Sequence, residues 1–150
     1  MEMAITHPDP KILNNFGNPQ SPVEIPDNKK DFISIKKDLK SSEMKKFYNN
    51  IDVLLIPIAD EGIGRMTLEA MSSGTPVIML GNHDRNPIVH MTNGFLVSEN
   101  FDNIDDIIDI VTNKPHVMKS IGAKSRRTIE DNYSNEVLMS KLRDIYDSLT

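Results

Sequence analysis

Asp60–Ile78 reads DEGIGRMTLEAMSSGTPVI, and its order of residue types decides the fold. Two glycines, Gly62 and Gly64, loosen a turn. Helix-compatible residues run from Gly64 to Ser73, and Gly74 stands where a helix terminator belongs. Pro76 to Leu80 is then short and apolar. Just upstream, Asp52–Ile58 is DVLLIPI, a continuous apolar run of strand length. An unbroken run suits a strand covered on both faces, as in a parallel sheet. Strand, glycine turn, helix, strand is the unit of an α/β domain.

Working outward, the same alternation continues. Ser41 or Ser42 is placed to cap a helix whose Met44, Phe47, Tyr48 and Ile51 recur at helical spacing. Phe32, Ile33 and Ile35 suggest a short strand before it, and Gly94–Val97 another after it. Three helices follow. Ile104, Ile107, Ile108 and Val111 mark the first, and Pro115 opens the second, where its missing N–H costs little. Ser134 caps the third, with Leu138, Leu142, Ile145 and Leu149 along one face. Residues 1–30 differ: five prolines and no clear period predict an irregular segment, with at most a short strand near Lys11–Leu13. The expected division is therefore 1–30, irregular and partly strand, and 31–150, a Rossmann-like parallel sheet with flanking helices.

Composition bounds the function. At 150 residues one domain is expected, able to bury about 68–70% of its unfolded surface. The net charge of −5 argues against a broad nucleic-acid or anionic-membrane surface. With no cysteine, disulfides, thiol catalysis and thiolate-bound metals are excluded. No apolar stretch approaches a membrane span, and the start lacks the pattern of a signal peptide. The four histidines are scattered, and His83-Asp84 is read as loop rather than metal site. Asp102, Asp105, Asp106 and Asp109 lack the glycine and spacing of a calcium loop and suit the start of a helix. Lys119, Lys124, Arg126 and Arg127 read as a solvated helix face, and the nine methionines as core.

Chemistry concentrates at the opening stretch. In an open parallel sheet, ligands bind beyond the carboxyl ends of the strands. Glycines there let a ligand approach the backbone. The first turn of the helix, from about Gly64 to Thr67, offers unpaired N–H groups and partial positive charge, which suit a phosphate. Arg65 adds a full charge. Glu61 precedes the helix, and Glu69 lies inside it, eight positions on. A carboxylate accepts two hydrogen bonds readily, so a vicinal diol such as ribose suits it. A phosphate flanked by hydroxyl-bearing groups is thus the expected ligand, and a nucleotide sugar fits. Set against this, two glutamates at such spacing arise easily by chance among 22 acidic residues, and the turn serves equally as a plain connection.

The surrounding residues resemble the C-terminal domain of retaining GT-B glycosyltransferases, the glycosyl transferases group 1 family, of the family 4 type. The matching pieces are Tyr48 with Asp52–Pro57, Glu61–Gly64, Glu69–Met71, Gly74–Ile78 and Asn93–Val97. The resemblance weakens toward the C-terminus but spans about residues 44 to 149. It implies that Glu61 is the first glutamate of the family's E-x7-E motif, contacting the donor sugar near the reacting carbon. Glu69 would be the second, holding the nucleotide ribose. The backbone of Gly62, Ile63 and Gly64 would approach the sugar, and amides near Met66 and Thr67 the diphosphate or ribose. The family needs no cofactor beyond its nucleotide-sugar substrate and usually no metal. A cytoplasmic location, peripheral to a membrane at most, goes with it.

Three departures qualify the resemblance. A full enzyme has a second lobe that binds the acceptor, for which 150 residues leave no room. The family's opening strand, glycine-rich loop and diphosphate-binding Arg and Lys have no match in residues 1–35. The loop Gly81–Val89, with His83, Asp84 and Arg85, replaces a Gly-Gly turn. The chain is therefore read as a donor-binding half that needs an acceptor lobe, whether excised, truncated or a natural small subunit. The other reading is a non-catalytic interaction domain on the same fold. A dehydrogenase is disfavoured, because no G-x-G-x-x-G follows a strand.

Overall fold

The computed structural model describes residues 3–5, 39–56, 64–81 and 87–149. Their elements run β1 (Met3–Ile5), α1 (Ser41–Asn49), β2 (Val53–Ile56), α2 (Arg65–Ser72), β3 (Val77–Leu80), β4 (Phe95–Val97), α3 (Ile104–Asn113), α4 (Pro115–Tyr133) and α5 (Asn135–Asp147). The strands form a single parallel sheet in the order β1-β2-β3-β4. The domain is α/β with flanking helices, as the alternation predicts.

The two faces of the sheet are set by the period of two along each strand. Leu54, Ile56, Val77, Met79 and Leu96 join Tyr48 of α1 and Ala70 and Met71 of α2 in one apolar cluster. Val53, Ile78, Phe95 and Val97 join Ile107, Ile110 and Val111 of α3 in the other. Both faces are thus covered, which is why these strands carry unbroken apolar runs. Helix α4 serves both clusters, contributing Ile121 to the second and Ile129 to the first. It passes between them at Gly122, against Gly74 and Pro76, at the amino end of β3.

Helix α2 ends as its sequence predicts. Gly74 has φ +78, its N–H donates to the Met71 carbonyl at 3.0 Å, and the Thr75 N–H donates to the Ala70 carbonyl at 3.0 Å. This paired closure needs the left-handed conformation that glycine tolerates. A Cβ at Gly74 would lie 3.6 Å from its nearest neighbour among the described residues, the Gly122 carbonyl oxygen, so space is ample and only the backbone objects. Gly74→Ala is expected to cost about 1–2 kcal/mol, which thermal unfolding reads as a drop of roughly 2–8 °C.

Several expectations change. Neither Ser41 nor Ser42 caps α1: Lys40 occupies that position, and Glu43 reaches back to accept the Lys40 N–H at 2.9 Å. The Glu43 carboxylate thus takes the N–H of the cap residue itself, not the first-turn N–H that a capping serine would accept. Met3–Ile5 pairs in parallel with β2, a strand that periodicity did not reveal in three residues. The strands expected near Lys11–Leu13 and Phe32–Ile35 lie outside the described residues. The methionines divide: Met71 and Met79 are buried, whereas Met91 and Met139 stand about half exposed. Ser134 does cap α5, accepting the Val137 N–H at 3.4 Å. Yet α5 buries none of its residues, and Leu138, Leu142, Ile145 and Leu149 line an exposed face.

Candidate functional site

Helix α2 begins at the carboxyl end of the sheet, after β2. Gly64 is its N-cap, in extended conformation with φ −73 and ψ 140, and no side chain caps the helix. The Leu68 N–H makes the first helical bond, to the Gly64 carbonyl at 3.2 Å. The N–H groups of Arg65, Met66 and Thr67 therefore precede the hydrogen-bonded ladder. The first turn holds no acidic residue and instead carries Arg65. A cation at the positive end of a helix dipole is unfavourable, and arginine four residues before glutamate is the weaker orientation for a helical pair. Local helix preferences do not favour this arrangement.

Glu69 sits one turn further along. Its carboxylate is held from two sides: the Tyr48 hydroxyl donates to Oε2 at 3.1 Å, and Arg65 Nε donates to Oε1 at 2.7 Å. The two donors differ in kind. Tyr48 is 1% exposed and belongs to the core. The Arg65 side chain is 78% exposed and that of Glu69 30%. Burial, then the neighbouring Glu69 charge, pushes the Tyr48 phenol well above its ordinary value, so it stays a neutral donor. The hydrogen bond to Glu69 holds the Arg65 guanidinium firmly protonated.

Thr67 is buried, and its hydroxyl has no hydrogen-bond partner among the described residues. Leaving a buried hydroxyl unpaired costs about 1–3 kcal/mol. Gly64 lies beside it, with the Thr67 Oγ1 atom 3.6 Å from where a Gly64 Cβ would be. Of the expected site residues, the structure thus places Gly64, Arg65, Met66, Thr67 and Glu69 on one helix start. Glu61, Gly62 and Ile63 lie outside the described residues, as do His83, Asp84 and Arg85.

The functional group that sequence reasoning missed is the Tyr48 hydroxyl. Tyr48 was legible as an apolar-face residue of α1, but its partner lies 21 residues on. The available signal was chemical: a buried tyrosine hydroxyl needs an acceptor. Elsewhere the plain readings hold. Arg126 pairs with Glu130 at 2.8 Å and Arg127 with Asp131 at 3.6 Å, as on a solvated helix face. Asp105 and Asp106 lie in the first turn of α3. Asp109 pairs with Lys114, and the Asn113 amide first, then Lys114, holds its carboxyl below the ordinary range. No group of three or more potential metal ligands occurs among the described residues. Nor, among them, is any helix long and apolar enough to cross a membrane. Buried Asn93 organises the approach to β4: its carbonyl accepts the Val89 N–H at 2.7 Å, and its amide donates to the Pro87 carbonyl at 2.9 Å and the Thr128 hydroxyl at 3.0 Å.

A parallel sheet covered on both faces, with a glycine-led helix start at its carboxyl edge, defines a Rossmann-like domain. The family model for glycosyl transferases group 1 matches residues 17–113, and the chain belongs to that family. It is 29% identical over 111 residues to the capsular polysaccharide biosynthesis glycosyltransferase CapM of Staphylococcus aureus, covering 71% of this chain and 29% of that protein. It is 30% identical over 105 residues to an uncharacterized glycosyltransferase of Methanocaldococcus jannaschii, covering 69% and 27%. Among solved structures, it resembles the C-terminal domain of the glycosyl transferase group 1 family protein LpcC from Francisella tularensis. The TM-score is 0.56 at 26% identity, over 69% of this chain and 53% of that one. The match thus spans less than a third of either curated relative. The fold corresponds to the C-terminal half of a GT-B glycosyltransferase.

Proposed function

We propose that this chain is the nucleotide-sugar-binding half of a retaining glycosyltransferase, transferring a sugar when an acceptor-binding lobe completes the cleft. The observation that carries the reading is the start of α2. An uncapped glycine, a first turn without acid, and Arg65 make that helix end electropositive, and a pinned carboxylate follows one turn later. Departures from local preference gather where a ligand restores the balance. A diphosphate is that ligand: its charge meets the dipole, the N–H groups of Arg65, Met66 and Thr67, and the guanidinium. These groups supply the positive charge for which other sites recruit a metal. Glu69 accepts the ribose hydroxyls. Glu61 acts at the donor sugar near the reacting carbon, and the backbone of Gly62, Ile63 and Gly64 lies along that sugar. Alignment of donor and acceptor between two lobes can supply about 7–11 kcal/mol of a barrier, so the half alone binds without turning over efficiently. The setting is cytoplasmic.

A thermal-shift screen against UDP-, GDP- and ADP-sugars, with NAD as control, tests this. A ligand at 100 times its Kd stabilises by about 2.7 kcal/mol, or roughly 5–11 °C here. One nucleotide class should produce that shift and NAD none. Gly64→Ala sharpens the result. Among the described residues its Cβ meets nothing closer than Thr67 Oγ1 at 3.6 Å, so the unliganded melting temperature should hardly move. The ligand-induced shift should shrink, because the methyl occupies the donor's path. No shift with any nucleotide sugar overturns donor binding by this chain.

A further inference from the structure

The Glu69 carboxylate is exposed enough to meet a ligand, yet its orientation is not left to the surface. Arg65 cannot fix it. That side chain is itself largely exposed, and such helical surface pairs are weak and screened by salt. Tyr48 is built differently. Its ring is buried in the cluster beneath β2 and β3, edge-to-face with Phe47 at 5.4 Å and 64°. Its backbone carbonyl accepts the Thr75 hydroxyl at 2.8 Å, which ties the end of α1 to the turn after α2. A phenol anchored at both ends retains little freedom except rotation of its O–H. That O–H meets Glu69 Oε2 at 3.1 Å.

We infer that Tyr48 is a positioning residue: a core-anchored phenol that fixes the carboxylate of Glu69 in the attitude that receives a ribose diol. The inference rests on the donor-site reading above. Each carboxylate oxygen can accept two hydrogen bonds. Tyr48 uses one acceptor position on Oε2 from the protein side, leaving the remaining lone pairs for the two hydroxyls of a ligand. Arg65 holds Oε1 in the unliganded protein and, being exposed, is free to leave it. One contact is therefore permanent and the other exchangeable. Orientation prepared before binding lowers the entropy lost on binding, which is how a residue with no ligand contact raises affinity.

Tyr48→Phe tests this, because it keeps the ring and removes only the hydroxyl. UDP, GDP and ADP, each beside its 2′,3′-dideoxy counterpart, would be titrated by calorimetry into the parent chain, Tyr48→Phe and Glu69→Ala. The expected result is about 5–10-fold weaker binding of the ribonucleotide by Tyr48→Phe, the scale of one hydrogen bond, with dideoxynucleotide affinity unchanged. A second readout needs no ligand. NMR couplings of the Glu69 side chain should report one rotamer in the parent and averaging in Tyr48→Phe. Equal weakening of both nucleotides, or unchanged couplings, overturns the positioning role. If Glu69→Ala weakens the ribonucleotide and spares the dideoxynucleotide while Tyr48→Phe does not, the ribose assignment stands and the role of Tyr48 falls. If Glu69→Ala changes the affinity of both nucleotides equally, or of neither, the ribose assignment itself fails and takes this inference with it.

Discussion

Gly122→Ala is expected to destabilise the domain by about 3 kcal/mol, lowering its melting temperature by roughly 6–12 °C. A Cβ on Gly122 would collide with the Gly74 carbonyl oxygen and stand 3.4 Å from its carbonyl carbon. Both atoms are backbone, so no side chain can swing aside. The Gly74 peptide is itself fixed by the closure of α2, through the Gly74 and Thr75 N–H bonds to Met71 and Ala70. Relief requires α4 to lift from the turn. Lifting α4 strains Ile121 and Ile129, which sit in the two opposite apolar clusters. Thermal unfolding of Gly122→Ala beside Gly64→Ala separates crowding from glycine loss as such, since among the described residues the latter meets only ordinary contact at 3.6 Å. A Gly122→Ala protein as stable as its parent would mean that the close approach of α2 and α4 carries no energetic weight.

Glu69→Ala is expected to weaken nucleotide binding about 100-fold. Two hydrogen bonds from a diol to a carboxylate contribute on the order of 1.5 kcal/mol each. The same change strands the buried Tyr48 hydroxyl, at a cost of about 1–3 kcal/mol, so stability must be measured alongside affinity. It also releases Arg65 from its short-range partner. Glu69→Gln separates these effects: it retains an acceptor for Tyr48 and loses the charge. Calorimetry on folded Glu69→Ala reads the ribose contribution, and an unchanged Kd removes the ribose assignment. With Glu69→Gln, folding should be close to that of the parent and affinity intermediate.

The candidate site residues were legible because they are contiguous. Asp60–Ile78 holds Gly64, Arg65, Thr67, Glu69 and the terminating Gly74 in one stretch, and a helix turns that spacing into geometry without help from the rest of the chain. Strands β2 and β3 were legible for a related reason: burial on both faces leaves an unbroken apolar run. Caps are subtler. Lys40 takes the cap position of α1 in place of the expected serines, and Glu43, three positions on, accepts its backbone N–H.

By itself the sequence determined the alternation of strand and helix, the sites where α2 starts and stops, and the residues gathered at that start. These follow from local spacing and backbone preference. Tertiary structure alone decided what lies between distant segments: Tyr48 beneath Glu69, Gly122 against Gly74, the short β1 beside β2, and the exposure of the apolar face of α5. A tyrosine in an apolar stripe reads identically whether its hydroxyl finds a carboxylate or a carbonyl. A glycine within a helix reads as a weak point until another backbone is seen to occupy the space of its missing side chain. Such contacts depend on the packing of elements remote in the chain, and no local pattern encodes their partners.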